Sequence, residues 1–247
     1  MKVAGKTKII FHHLEMSFKG DGKASDLPVL IDFQLEVRDG EFVCIVGPSG
    51  CGKTTLLNAA AGFLPPGSGE IRIDGVPVTA PDSRRIFIFQ ENSIFPWLTV
   101  EENIGFGVLQ GSEKQKQETV SHYVEMIGLR GFEHSYPNQL SGGMKQRVEI
   151  ARALSANPDI LFMDEPFGSL DFITRMRMRR ELIQIWKQER KTILFVTHDV
   201  EESVQLADRV VPSHGLGFFV GVSSAKSMKL KILYRYLGFF SARSFLI

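Results

Sequence analysis

The 247-residue sequence predicts an α/β fold with a parallel-sheet core, an antiparallel β subdomain and a helical subdomain. Three observations carry this. Strand-like and helix-like segments alternate along much of the chain, the pattern of a parallel sheet with crossover helices. Several of the strands are unbroken apolar runs, as expected where both faces of a sheet are covered. From about residue 99 to 157 the apolar spacing turns helical and sets a subdomain apart.

Taken in order, residues 1 to about 40 hold the alternating segments IIFHHLEMSF and VLIDFQLEV, broken by KGDGKASD, and read as the antiparallel region. EFVCIVG is a buried strand; a glycine loop follows, then a helix beginning TTLLNAAAGF and ending near PPGSG. EIRIDG is a short β piece and RRIFIFQ another buried strand. TVEENIGFGVL opens with Thr99 in a capping position and Glu102 three residues on. EKQKQETVSHYVEMIGL shows helical spacing in Val120, Val124 and Ile127, with Gly128 as its stop. NPDILFMDEP and TILFVTHD are strands, and between them FITRMRMRRELIQIWKQERK is a helix with Ile173, Met176, Ile183 and Trp186 expected on one side.

Composition is that of a globular protein, 43% hydrophobic and 23% charged. A net charge of +1 gives whole-molecule electrostatics no case for nucleic acid. No apolar run reaches the roughly 18 residues of a membrane span. MKVAGKTKIIFHHLEMSF lacks the apolar core of a signal peptide, so the chain is expected to stay in the cytoplasm. Cys44 and Cys51 are too few for a zinc site, and Cys44, in an apolar strand, reads as a small core residue. After Asp208 there is no acidic residue to the end of the chain.

The run Gly47, Pro48, Ser49, Gly50, Cys51, Gly52, Lys53, Thr54, Thr55 fits G-x-x-x-x-G-K-[ST] between a strand and a helix, the context that motif requires. Its glycines let backbone N–H groups curl around a polyphosphate, and the helix start adds partial positive charge. Lys53 can reach the β and γ phosphates, and Thr54 offers a hydroxyl to Mg²⁺. A glycine turn with a solvated lysine is the plain alternative, and both correct flanks weigh against it. Alkylating Cys51, inside the loop, is expected to block nucleotide sterically.

ILFMDEP is an apolar strand ending in two acids. Asp164 suits Mg²⁺ through water, and Glu165 could polarise an attacking water. A strand delivers both to the carboxyl edge of its sheet, where ligands of open α/β sheets bind. Gln90 and His198 end two other strands. The amide of Gln90 can touch metal or water without adding charge, and a neutral imidazole at His198 could hydrogen-bond a γ-phosphate.

Together GPSGCGKTT, FQ at 89–90, LSGGM, ILFMDEP, SLD at 169–171 and THD at 197–199 resemble the nucleotide-binding subunit of an ATP-binding cassette (ABC) transporter, over about residues 8 to 211. The resemblance implies a P-loop ATPase using ATP and Mg²⁺, with Glu165 as general base. It implies a head-to-tail homodimer in which Ser141, Gly142 and Gly143 face the γ-phosphate bound to the second nucleotide-binding subunit. Phe18 would stack on adenine, and Asp171 would bridge the dimer. ENSIFPWLTV, around Phe95, Pro96 and Trp97, would grip a short helix of an integral membrane permease. The subgroup most like VGPSGCGKTTLL and YPNQLSGGMKQRVEIARAL is the nitrate, sulfonate and taurine importers. That implies an extracytoplasmic solute-binding protein as an indirect partner, no nucleic acid, and a peripheral place on the cytoplasmic face of the inner membrane.

The family pattern runs through QLADRVV and then stops, giving an expected domain over 1–211 and an atypical basic, aromatic tail over 212–247. An altered or frameshifted terminus, a membrane-surface segment and a packed extension are the three readings of that tail. The functional alternatives are a non-transport ABC ATPase and a cassette made defective by its altered end.

Overall fold

The structure, a computed structural model, describes residues 6–18, 27–90, 93–168, 170–214, 218–219 and 223–224. In chain order the elements are strands β1 (Thr7–Phe18), β2 (Leu27–Arg38) and β3 (Phe42–Val46), helix α1 (Lys53–Ala61), strands β4 (Ser68–Ile73), β5 (Val76–Pro77) and β6 (Arg85–Ile88), helices α2 (Val100–Gly107), α3 (Glu113–Met126) and α4 (Gly142–Ser155), β7 (Ile160–Asp164), α5 (Phe172–Glu189), β8 (Thr192–Thr197), α6 (Val200–Leu206), β9 (Arg209–His214), β10 (Phe218–Phe219) and β11 (Ser223–Ser224). They form two compact units, one of residues 1–81 with 192–247 and one of residues 82–191. No helix among the described residues is long and apolar enough to cross a membrane.

In the first unit β2, β1, β4 and β5 make an antiparallel sheet. Its buried face carries Ile9, Phe11, Leu14 and Met16 from β1 and Leu30, Phe33, Leu35 and Val37 from β2. Phe11 and Phe33 meet edge to face with centroids 5.3 Å apart. The period-two alternation slips between Phe11 and Leu14, where the register of β1 shifts against β2. His13 and Asp32 take up the slip at φ 46 each, a β-bulge that keeps both apolar runs on one face.

The same unit holds β3 between β8 and β9, both parallel to it. Every residue of β3 and of β8 is buried, which explains why both read as continuous apolar runs. Helix α1 buries Leu56, Leu57 and Ala59–Ala61 and ends at Gly62, whose φ of 89 makes a left-handed C-cap. On α6, Val200 and Val204, with Ala207 just beyond it, pack on Val46 and Val210.

Strand β9 does not end where the family pattern does. It continues across position 211 to His214, pairing Val46 with Pro212. Two short pieces then run antiparallel to it, with Phe218 opposite His214 and Ser223 opposite Val210. The sequence hid this because Pro212 and Ser213 interrupt any strand signal. The rest of the tail, with its basic and aromatic run, lies outside the described residues.

The second unit pairs β6 and β7 in parallel and adds α2–α5. It is wider than the helical stretch of 99–157, since both strands and α5 belong to it. Thr99 and Glu102 form the expected capping box of α2, and Ser112 with Gln115 forms another on α3. Gly128, at φ 65, follows the end of α3. On α5 the buried residues are Met178, Arg179, Leu182, Ile185 and Trp186. The expected stripe is therefore corrected. Ile173 is 71% exposed, Met176 and Ile183 are half-buried, and of the four only Trp186 is buried. The i, i+4, i+7, i+8 series starts at Met178, and Phe172 and Ile173 at the start of α5 point to its exposed side.

Candidate functional site

In the first unit the phosphate-loop motif leaves the carboxyl end of β3. Val46 pairs with Thr197, so Gly47 and His198 emerge side by side at one sheet edge. Gly47 N donates to Thr197 O at 3.3 Å. The backbone turns left-handed at Gly50 and Gly52, with φ of 80 and 91. A methyl group on Gly52 would also stand 2.8 Å from Val29 O. Only glycine satisfies both demands there. Pro48, Ser49, Gly50 and Thr54 are exposed, and Thr55 is half-buried.

Lys53, the first residue of α1, is 5% exposed. Its Nζ donates to Gly47 O at 2.9 Å and Pro48 O at 2.8 Å and lies 3.9 Å from Cys51 Sγ. The ammonium is thus held inside the loop by its carbonyls. Cys51 is 1% exposed, so its thiol lines the loop's interior rather than its rim. Cys44 is fully buried in β3, and burial pushes its thiol well above the usual range, in keeping with a core residue.

His198 is exposed just past β8. Asp199 caps α6 by accepting from the amides of Glu201 and Glu202 at 2.8 and 3.1 Å. Asp199 N donates to Thr197 Oγ1 at 3.0 Å, and that hydroxyl bonds the Glu202 carboxylate. The turn carrying His198 is therefore fixed on both sides. Phe18 ends β1, is 43% exposed, and pairs with the more open Leu27.

The second unit repeats the arrangement of strand ends. Ile88 pairs with Met163, so Phe89–Gln90 and Asp164–Glu165 leave β6 and β7 at the same edge. Asp164 is 7% exposed. Glu165 is half-buried with φ 45, a left-handed backbone rarely taken by a non-glycine residue. A turn closed by Gly168 N to Glu165 O at 3.0 Å holds it there. A methyl group on Gly168 would lie 3.3 Å from Glu165 O and 3.7 Å from Gln90 Nε2, so the amide of Gln90 stands beside that turn.

Ser141 caps α4, its Oγ accepting from Met144 N at 3.3 Å. Ser141 and Gly142 are exposed and Gly143 is buried. The sequence reading gave Gly143 to a close approach of phosphate. Within the chain a nearer reason exists, since a methyl group on it would meet Thr174 Cγ2 at 2.6 Å. Asp171 caps α5, accepting from Thr174 N at 3.0 Å, and this bond holds its carboxyl below the ordinary value. Phe172 and Ile173 beside it are 72% and 71% exposed.

Trp97 is 69% exposed, Pro96 is exposed and Phe95 is half-buried. Phe95 lies tilted against Trp97 with ring centroids 5.4 Å apart and meets Phe106 edge to face at 4.7 Å, and the Arg152 guanidinium lies 4.7 Å over its ring. Phe106, 60% exposed on α2, and Arg152 on α4 were not singled out from sequence. Periodicity alone placed both on ordinary helices.

A family model described as "ABC transporter" matches residues 30–168. The nitrate import ATP-binding protein NrtD of Synechocystis is 50% identical over 191 residues, 76% of this chain and 72% of that protein. The aliphatic sulfonates import ATP-binding protein SsuB of Bacillus cereus is 51% identical over 181 residues, 73% and 71%. Among solved structures, a dimeric post-hydrolysis state of the ATP-binding cassette MJ0796 bound to ADP and Pi superposes with a TM-score of 0.74 at 28% identity. The match covers 89% of this chain and all of that one.

Proposed function

Because the chain belongs to the ABC transporter family, we propose that it is the ATP-binding and ATP-hydrolysing subunit of an importer for nitrate, a sulfonate such as taurine, or a similar small solute. The observation that supports this most is the loop from Gly47 to Gly52. It opens a helix with Lys53 and Thr54 and leaves its sheet beside His198. The nitrate and sulfonate relatives point to the solute class.

In this reading the triphosphate of ATP lies along the loop's amides and the start of α1. Lys53 exchanges the carbonyls of Gly47 and Pro48 for the β and γ phosphates. Thr54, Asp164 and Gln90 offer the hard oxygen donors that suit Mg²⁺ beside a nucleotide, and the ion supplies neutralising charge on the phosphates. Glu165 takes a proton from a water that Gln90 orients. The water oxygen bonds the γ-phosphorus in line, the bond to the β-phosphate oxygen breaks, and its electron pair leaves with ADP. His198 donates to the γ-phosphate oxygens. Ser141, Gly142 and Gly143 of a second copy close over the same phosphate with the positive end of α4. Asp171 stands at that contact and Phe18 stacks on the base. The exposed Phe95–Trp97 edge receives a helix of the permease, which places the subunit on the cytoplasmic face of the membrane. An extracytoplasmic binding protein delivers the solute.

The test is phosphate release from Mg-ATP by the purified chain, followed by nitrate, taurine and alkanesulfonate uptake in cells with and without its gene. ATP hydrolysis with loss of one uptake supports the whole reading. Hydrolysis with all three uptakes intact removes the importer assignment. No hydrolysis at any ATP concentration removes the enzyme itself.

A further inference from the structure

We infer that Glu202 is a positioning residue for His198: its buried carboxylate fixes the Thr197 hydroxyl, and that hydroxyl sets the backbone from which the imidazole works. The inference rests on the reading of His198 given above.

Glu202 lies on α6 and is 4% exposed. The packing of that helix does not ask for a carboxylate. Val200 and Val204 already seat it on Val46 and Val210, and an apolar residue would bury at less cost than an ion. The use of the charge lies in its partner. Thr197, the last residue of β8 and 2% exposed, donates its hydroxyl to Glu202 Oε2. A hydroxyl has one proton to give. With it given to Glu202, the oxygen turns lone pairs outward and accepts from Asp199 N at 3.0 Å. Asp199 Oδ1 in turn accepts from Glu202 N at 3.1 Å. The three bonds close a ring over residues 197–202.

His198 sits inside this ring, and its backbone is held through both neighbouring residues. Before it, Thr197 O accepts from Gly47 N at 3.3 Å. After it, Asp199 N is bonded to the Thr197 hydroxyl. The residue is exposed, so the core does not enclose its ring, and the backbone decides where the ring starts from. Thr197 also pairs with Val46, the residue that leads into the phosphate loop. The loop and His198 are thus referred to the same pair of strand ends by short bonds. A displacement of about 1 Å in a group that contacts the reacting phosphate can cost on the order of a hundredfold in rate, so a bond that fixes this spacing bears on turnover.

The experiment is steady-state hydrolysis of Mg-ATP by the full chain, comparing the parent with His198→Ala, Glu202→Ala, Glu202→Gln, Thr197→Val and the His198→Ala/Glu202→Ala pair. Glu202→Ala is expected to lower kcat about tenfold, with KM for ATP changed less than about twofold, the pattern of an interaction used in the transition state. Glu202→Gln, which keeps an acceptor for the hydroxyl, recovers most of that loss. Thr197→Val, which removes the hydroxyl but keeps the branched shape, reproduces it. The pair is no slower than His198→Ala alone, because Glu202 acts only through the imidazole. A parental kcat in Glu202→Ala, no recovery in Glu202→Gln, or a further fall in the pair overturns the inference; the last is the mark of a residue that merely keeps α6 folded. Should Glu202→Ala fail to fold, Thr197→Val carries the same test, alone and combined with His198→Ala, with the same results overturning it. A parental kcat in His198→Ala removes the role of His198 first, and the inference with it. Loss in His198→Ala without loss in the Glu202 and Thr197 variants strikes the inference alone. No hydrolysis by the parent removes both.

Discussion

Gly143 and Thr174 stand so close that a methyl group on the glycine would come within 2.6 Å of the threonine Cγ2. Helix α4 therefore lies against the first turn of α5, where Asp171 caps the Thr174 amide. Gly143→Ala is expected to destabilise the chain by about 1–3 kcal/mol, the usual range for overpacking. Adding Thr174→Ser, which deletes the offending methyl, should return the melting temperature to near the parent's. If the phosphate of a second copy also approaches Gly143, the repaired pair stays slow in ATP hydrolysis. Full recovery of both would limit Gly143 to packing.

The assignment of Glu165 separates binding from chemistry. Glu165→Gln keeps the size and the backbone conformation of the turn but removes the base. It should bind ATP as tightly as the parent, accumulate as a dimer with ATP, and turn over orders of magnitude more slowly. Lys53→Ala should instead weaken ATP binding itself. Equilibrium nucleotide binding, gel filtration with ATP and phosphate release check all three.

Cys51 is enclosed with Lys53 inside the phosphate loop. Its thiol should react slowly with a maleimide in the native chain, far more slowly than after unfolding. Once labelled stoichiometrically, the chain should no longer bind ATP, because the adduct fills the space the phosphates take. Labelling followed by mass spectrometry and a binding titration tests both steps. Retained binding in fully labelled protein would show that the thiol points away from the nucleotide.

Ser213 is fully buried beside Gly47, and among the described residues its hydroxyl has no hydrogen-bond partner. A buried polar group left unpaired costs roughly 1–3 kcal/mol. Ser213→Ala should therefore raise stability by about 1 kcal/mol, or about 2–4 °C in Tm for a chain of this size. A lower Tm would mean that the hydroxyl is bonded in solution.

Burial pushes the carboxyl of Glu149 above its ordinary value of 4.5, against the pull of the Ser93 bonds and Arg152. A raised folded value means that the folded chain holds the proton more tightly than the unfolded one. The resulting stability is fully present below pH 4.5 and fades as pH climbs through the folded value. Glu149→Gln cannot titrate, so the parent should lose stability relative to it as pH rises through that window. Parallel stability curves across pH would contradict the raised value.

By itself the sequence located β3, β6, β7 and β8, the phosphate loop and the Thr99–Glu102 cap. Those features are local. The apolar run of Phe42–Val46, the glycines at φ 80 and 91, and the Thr99–Glu102 box each follow from chain neighbours and their preferred dihedrals. Tertiary structure decided what depends on a distant partner. It chose Met178, Leu182 and Ile185 rather than Ile173 for the buried face of α5, carried β9 past Pro212, and gave Gly143 a reason in Thr174. It also paired Glu149 with Ser93, 56 residues away, where helical periodicity offers no sign of a buried carboxylate. Side-chain spacing reports a local face; which face meets another element, and what a buried charge bonds to, is fixed only when residues remote in sequence pack together.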